Sequence, residues 1–257
     1  MLVVLSPAKK LDETRHAGRP LTEPIFLEET RALTKKAKTL SKPALQKLMD
    51  ISEPLAKLNQ DRFRNFDGLS EGPAALMFDG DTYTGLDAKT LSEDGLTYAQ
   101  SHLRILSGLY GLLRPLDAMK PYRLEMGSKL ATRRGKDLYA FWGDRIAKAL
   151  NAEAEATGSG WLLNCASQEY FGAVDRSALQ IPVITPVFLE DRAGGPKTIS
   201  FFAKQARGAL ARFVVENQLR DPAELTAWEA GGYRYEPDRS TPDSLVFLRP
   251  EQAQSAA

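Results

Sequence analysis

The chain has 257 residues, 43% hydrophobic and 26% charged, enough apolar material for one large domain or two small ones and too much for a disordered chain. Its 34 Lys and Arg against 33 Asp and Glu leave a formal charge of +1, so any attraction to nucleic acid or a membrane surface must come from local clustering. One cysteine, Cys165, and two histidines, His16 and His102, exclude a disulfide framework, an iron–sulfur cage and a four-ligand thiolate–imidazole zinc site.

Met1 to Leu5 is too short for the apolar region of a signal peptide, and no later apolar run approaches the roughly 20 residues that span a bilayer. A cytoplasmic protein with no membrane partner is expected. Leu2–Leu5 reads as a buried strand closed by Ser6-Pro7. From Ile25 to Phe66 the pattern is helical: Ser41 and Ser52 stand as N-caps, Pro43 and Pro54 fall in first turns, and two or three amphipathic helices follow. Ala74–Phe78 reads as a strand ending in the Asp79-Gly80 turn, and Ser92 opens a helix through about His102. Arg104–Leu106 fits a strand or a helix end.

Asp137–Ala156 carries Leu138, Phe141, Trp142, Ile146 and Leu150 at helical spacing and stops at Thr157-Gly-Ser-Gly160. Trp161–Cys165 and Pro182–Leu189 are strand-like, and the two prolines push the second toward a sheet edge or a bulge. Gly194-Gly195-Pro196 marks a turn, Phe201–Leu219 an amphipathic helix, Asp221-Pro222 the cap of a short one, and Ser244–Leu248 a final strand. Strands and helices are interspersed with no linker and no repeat. The expected fold is α/β: a single mixed-sheet domain over residues 1–250 with surrounding helices, followed by a polar tail, 251–257. Regular Rossmann winding and a barrel are not supported.

Charge is most biased between Gln100 and Lys136. Arg104, Arg114, Lys120, Arg123, Lys129, Arg133, Arg134 and Lys136 stand against Asp117 and Glu125, so this stretch carries +6. It is either a solvated basic face with acidic neighbours or a patch for phosphates. Within it, Leu103–Pro115 places Gly108 and Gly111 around Leu109-Tyr110, with apolar residues on both sides. This resembles a helix-hairpin-helix, the sequence-tolerant clamp on the DNA backbone, although a plain turn accounts for it as well. The DNA-binding set read from this stretch is Arg104, Gly108, Tyr110, Gly111, Arg114, Lys120, Lys129, Arg133 and Arg134.

Four further segments concentrate polar groups among apolar neighbours: Ser6–Lys9, Lys120–Gly127, Asn164–Phe171 and Lys204–Gly208. Alternation places Tyr122, Leu124 and Met126 on one face and Arg123 and Glu125 on the other. Asn164 ends a strand, and Ser167 can cap the next helix with its N–H groups directed at an anion. Lys204 and Arg207 share a helical face. Gathered at strand ends, Ser6, Lys9, Arg123, Glu125, Asn164, Ser167, Glu169, Lys204 and Arg207 would form one polar cleft. Structural ion pairs such as Arg123 with Glu125 or Glu169 are the competing account.

The ordered set S-P-A-K, K-P-Y-R-L-E-M-G, N-C-A-S-Q-E-Y-F, K-Q-A-R-G and G-G-Y-R-Y resembles the YaaA family of bacterial peroxide-stress proteins, from Val3 to about Arg249. The resemblance implies a compact α/β fold of its own kind with a basic cleft and a helix-hairpin-helix-like element. It also implies binding of double-stranded or branched DNA, protection of DNA under hydrogen peroxide, and lowered free iron. Cys165 stands where the family has an aliphatic residue, which speaks against a thiol role.

Two functions compete. A DNA-binding protein needs the clustered charge and no chemistry or cofactor. An enzyme acting on a nucleotide or nucleobase, a small-molecule ligand in the same cleft, would use the carboxylates that a pure clamp has little need for. Direct iron binding lacks a ligand set, since hard-ligand iron sites combine carboxylates with histidines. No metal site is assigned.

Overall fold

The computed structural model describes residues 1–14 and 20–251. Seven strands make one sheet: β1 (Leu2–Leu5), β2 (Leu103–Ser107), β3 (Gly111–Leu113), β4 (Leu162–Cys165), β5 (Val183–Glu190), β6 (Arg234–Tyr235) and β7 (Ser244–Arg249). Their order is β6-β7-β5-β4-β1-β2-β3. The five inner strands are parallel, and β3 and β6 close the two edges antiparallel. The apolar run of β1 follows from its position: it is paired on both sides and fully buried, so it has no solvent face to mark with polar residues.

The helices are α1 (Leu27–Lys38), α2 (Lys42–Met49), α3 (Glu53–Arg64), α4 (Ala74–Met77), α5 (Asp81–Leu86), α6 (Glu93–His102), α7 (Leu138–Trp142), α8 (Arg145–Thr157), α9 (Gln168–Phe171) and α10 (Ser200–Asn217). The chain is thus a single α/β domain with a mostly parallel mixed sheet. Ser41 and Ser92 cap α2 and α6 by accepting from Ala44 N–H and Gly95 N–H. Ser52 occupies the N-cap of α3 without a side-chain bond.

Four local expectations give way to tertiary context. Ala74–Met77 is one helical turn and not a strand, its first N–H groups bonded to Asp117 O and Pro115 O; a short run buried on every side carries no period to read. The helix expected over 137–156 breaks into α7 and α8 at Gly143, whose φ is +51°. Strand β5 is interior despite its prolines. Thr185 N–H donates toward β7, to Asp243 O, so alternation turns the Pro186 nitrogen toward β4, whose pairing has already ended at Leu163–Ile184.

The fourth correction concerns Leu103–Pro115, which is a β-hairpin and not a helix-hairpin-helix. Ser107 faces Gly111 across β2 and β3, and every residue from Leu103 to Leu113 is buried. Ser107 Oγ accepts from Tyr110 N–H at 2.9 Å, and Trp142 Nε1 donates to Gly108 O at 3.1 Å. The two glycines answer to packing: a Cβ on Gly108 would lie 2.2 Å from Leu124 O, and one on Gly111, at φ +69°, would lie 2.6 Å from the Trp142 ring. Two helices joined by a tight turn do occur elsewhere, at α2 and α3, where Asp50 takes a left-handed conformation.

Helices α5 and α10 cross in direct backbone contact. A Cβ on Gly208 would stand 1.8 Å from Thr82 O, and one on Gly85 2.0 Å from Gln205 O. An alanine in a helix interior ordinarily gains about 1 kcal/mol over glycine, but here the helices must part. Gly208→Ala is therefore expected to lower stability by about 3 kcal/mol, whereas Gly160→Ala, with nothing within 4 Å of its Cβ, changes it by under about 0.5 kcal/mol. Denaturant unfolding of the two variants measures the difference.

Candidate functional site

The connection leaving β1 leads to β2 on one side, while the connection leaving β4 leads to β5 on the other. Adjacent parallel strands whose connections diverge leave a crevice at their carboxyl ends, the usual ligand position in open α/β sheets. Ser6 follows β1 and Ser167 follows β4 at this point. Ser6 Oγ accepts from Ser167 N–H at 2.8 Å and its hydroxyl lies 3.3 Å from Ser167 Oγ, while Tyr83 OH donates to Ser6 O. Ser167 holds the N-cap position of α9 but its side chain makes no cap bond. The anion site expected at this helix start is not formed that way: α9 is a single turn, and the Ser167 N–H is taken by Ser6.

The cleft above these serines has a volume of about 420 Å³ and is lined by Lys9, Glu169, Lys204 and Arg207 together with the Asp79–Thr82 turn. Lys9 Nζ lies 3.6 Å from Glu125 Oε1, which also accepts from Arg123 Nε at 3.0 Å. Glu125 Oε2 is buried and has no hydrogen-bond partner. Tyr122, Leu124 and Met126 are buried and Arg123 and Glu125 partly exposed, the alternation read from the sequence, in an extended segment outside the sheet. Glu169 Oε1 accepts from Gly127 N–H at 3.0 Å and ties this segment to α9.

Asn164 faces a second cavity. Beyond Ile184 strand β5 runs on beside β7 alone, and the gap it leaves next to the end of β4 is a cavity of about 890 Å³. Asn164 Oδ1 accepts from Ala166 N–H, and its Nδ2 lies 3.4 Å from Thr185 Oγ1 on the cavity wall. Arg207 lines both the cleft and this cavity. Its Nε is buried with no partner, no carboxylate pairs with it among the described residues, and burial lowers its pKa. This second cavity, with Thr185, Phe188 and Phe171 on its walls, is not legible in the sequence, because it depends on where the β4 pairing stops.

The DNA-binding set from the basic stretch separates into three groups. Arg104 is 1% exposed, ion-paired with Glu153 and bonded to the carbonyls of Gln100, Ser101 and Leu103; with Gly108, Tyr110 and Gly111 it belongs to the core and cannot reach a phosphate. Arg114 is bound to the buried Asp117, Lys120 to Asp67 O and Glu71 over the Phe66 ring, and Arg134 to Glu29 over Phe141. Lys129 and Arg133 are exposed and carry no ion pair among the described residues, and neither does Lys136 of the same stretch, which lies outside the DNA-binding set. Half of the +6 of this stretch is thus met by carboxylates from outside it, Glu153, Glu71 and Glu29. His102 is stacked on Tyr98 at 4.0 Å, and His16 lies outside the described residues. Among the described residues no three His, Cys, Asp or Glu side chains gather as a metal-binding group.

The fold and this crevice define an α/β protein whose polar cleft, lined by Lys9, Lys204 and Arg207, lies at a topological switch point. The sequence matches the family described as peroxide stress protein YaaA over residues 1–239. It is 60% identical over 254 residues, 97% of this chain and 95% of the relative, to a UPF0246 protein of Dinoroseobacter shibae. It is 57% identical over 261 residues, all of both chains, to one of Jannaschia sp., and 55% identical over 256 residues, 98% of this chain and all of the relative, to one of Ruegeria pomeroyi. The chain belongs to the YaaA family of peroxide stress proteins.

Cys165 ends β4 beneath the cleft, 1% exposed, and burial pushes its thiol up to about 12. A thiol held protonated at neutral pH is a poor nucleophile toward peroxide. Dilute peroxide is expected to leave no trappable sulfenic acid at Cys165 in the native protein, and thiol reagents should react only after unfolding; labelling followed by mass spectrometry checks both.

Proposed function

We propose that this protein serves the peroxide response in the cytoplasm by binding duplex or branched DNA without sequence preference, through phosphates held at the carboxyl-end cleft. Lys129, Arg133 and Lys136, on the segment leaving Gly127, add outlying contacts. Any effect on free iron is indirect on this reading. The observation that carries it is Arg207. Arg207 is half-buried, with its Nε out of reach of water and no counter-ion among the described residues; the hydration lost there costs folding energy, and that cost is offset when an anion reaches the guanidinium. Lys9 and Lys204 flank the same cleft. Lys204 is 3.9 Å from Asp81, and Lys10 2.6 Å from Asp79, so Arg207 is the cation left without a carboxylate there.

Log affinity for duplex DNA is expected to fall with log salt at about −0.9 per phosphate contact, and Lys129→Ala to flatten that slope by about one. Arg207→Gln should weaken DNA binding about tenfold or more while unfolding at equal or higher denaturant, because it removes an unpaired buried charge. Binding that ignores salt, or a loss of stability in Arg207→Gln, would overturn the reading. Arg114→Ala is a poor probe, since it strands the buried Asp117.

A second reading, an enzyme acting on a nucleotide or nucleobase, is favoured by one observation: Glu125 is held between Lys9 and Arg123 with Oε2 buried and unused. A carboxylate so placed can act as a base. Glu125→Gln separates the two readings. A DNA-binding protein retains or slightly gains affinity on losing a negative charge, whereas an enzyme keeps its fold and loses turnover of nucleotides, followed by chromatography of the products.

A further inference from the structure

The 890 Å³ cavity between the end of β4 and the unpaired half of β5 is larger than the cleft beside it and shares Arg207 with it. Its volume lies within the range of sites that enclose drug-sized ligands. Its walls divide by chemistry. Phe171, Pro186 and Val187 supply apolar lining, with Arg176 over the Phe171 ring at 5.8 Å; the Phe188 ring is taken up by Trp228, Tyr233 and Phe247. Asn164, Gln168, Thr185 and Thr198 present amides and hydroxyls, which both donate and accept.

These polar groups keep part of their capacity: Asn164 Oδ1 accepts from Ala166 N–H at 3.1 Å, and the Gln168 side chain has no internal hydrogen bond among those described. The Asn164 amide reaches Thr185 Oγ1 at 3.4 Å, a long contact, and Thr198 Oγ1 donates to Phe188 O at 3.2 Å. A flat heteroaromatic ring with mixed donors and acceptors on its edge suits such a lining. Of its two cations, Arg176 lies over Phe171 beside the carboxylate of Asp175, while Arg207, at the boundary with the cleft and without a carboxylate, suits the phosphate attached to that ring.

We propose that this cavity is a nucleobase pocket: a deoxynucleotide places its base between the β5 extension and α9 and its 5′-phosphate against Arg207. The proposal rests on the reading of the cleft as a phosphate site and names the rest of the ligand. The same chemistry has two sources, a free nucleotide or a nucleotide extruded from a DNA strand, and extrusion costs least for an unpaired base.

Calorimetric titration with 5′-dAMP and with deoxyribose 5-phosphate tests it. The base is expected to add at least tenfold in affinity. Val187→Trp, which fills the cavity, should bring 5′-dAMP down to the affinity of the sugar phosphate and leave the sugar phosphate unchanged. Arg176→Ala, a surface change that keeps the fold, should reduce the base's advantage severalfold. Equal affinity of the parent for the two ligands, or an advantage that survives both variants, overturns the proposal. Tighter binding of a duplex with one unpaired adenine than of a fully paired duplex assigns the source to the strand; an advantage confined to 5′-dAMP assigns it to the free nucleotide. Duplex binding without the base advantage refutes the pocket and leaves the DNA reading standing; the base advantage without duplex binding does the reverse.

Discussion

The parallel pairing of β1 with β4 is the constraint on which the site depends. It aligns Leu5 with Cys165, so the residues that follow each strand, Ser6 and Ser167, emerge side by side and bond across the gap. Because the two connections then leave in opposite directions, nothing in the sheet covers that gap. Everything else arrives from outside it. Helix α10 brings Lys204 and Arg207, held at the right height by the contact of Gly208 with α5, and the extended Lys120–Gly127 segment brings Arg123 and Glu125, anchored by Glu169 on α9.

The arginines drawn fully or partly into the protein differ in how they are compensated. Arg104 has Glu153 and three backbone carbonyls. Arg249 has Glu190, which also accepts from Tyr233, and stacks on Phe202 at 4.1 Å; Arg114 has Asp117. These pairs satisfy one another inside the protein, so removing one partner would leave the other as an uncompensated charge. Arg207 departs from that pattern in having no carboxylate among the described residues, and it does so at the boundary between the cleft and the larger cavity beside it.

The basic stretch from Gln100 to Lys136 illustrates what a linear charge count hides. Its positive residues lie close in sequence, but β2, the turn after β3 and the segment before α7 carry them to different parts of the molecule. There Glu153, Asp117, Glu71 and Glu29, distant or nearby in sequence, neutralise them. What remains exposed is a group of three, Lys129, Arg133 and Lys136, on one loop. The electrostatic case for nucleic acid therefore rests on this loop and the cleft together, and the hairpin contributes shape to the core.

The sequence by itself determined the elements with strong local signals: the apolar run of β1, the serine caps of α2 and α6, the long helix α10, and the alternation that turns Arg123 and Glu125 away from Tyr122, Leu124 and Met126. Of the residues read as one cleft, Ser6, Lys9, Ser167, Glu169, Lys204 and Arg207 line the same concavity, while Asn164 faces the neighbouring cavity and Arg123 and Glu125 reach the cleft only through Lys9. The tertiary structure alone decided the rest. Whether Leu103–Pro115 became a strand pair or a helical clamp depended on the Trp142 ring and the Leu124 backbone packed against its glycines. Whether Pro186 broke an edge or sat inside the sheet depended on where β4 stopped pairing. Which arginines are paired depended on carboxylates such as Glu153 and Glu190, tens of residues away. Each of these is settled by contacts between segments remote in sequence, and a local pattern, which records only what a residue does with its near neighbours, carries no trace of them.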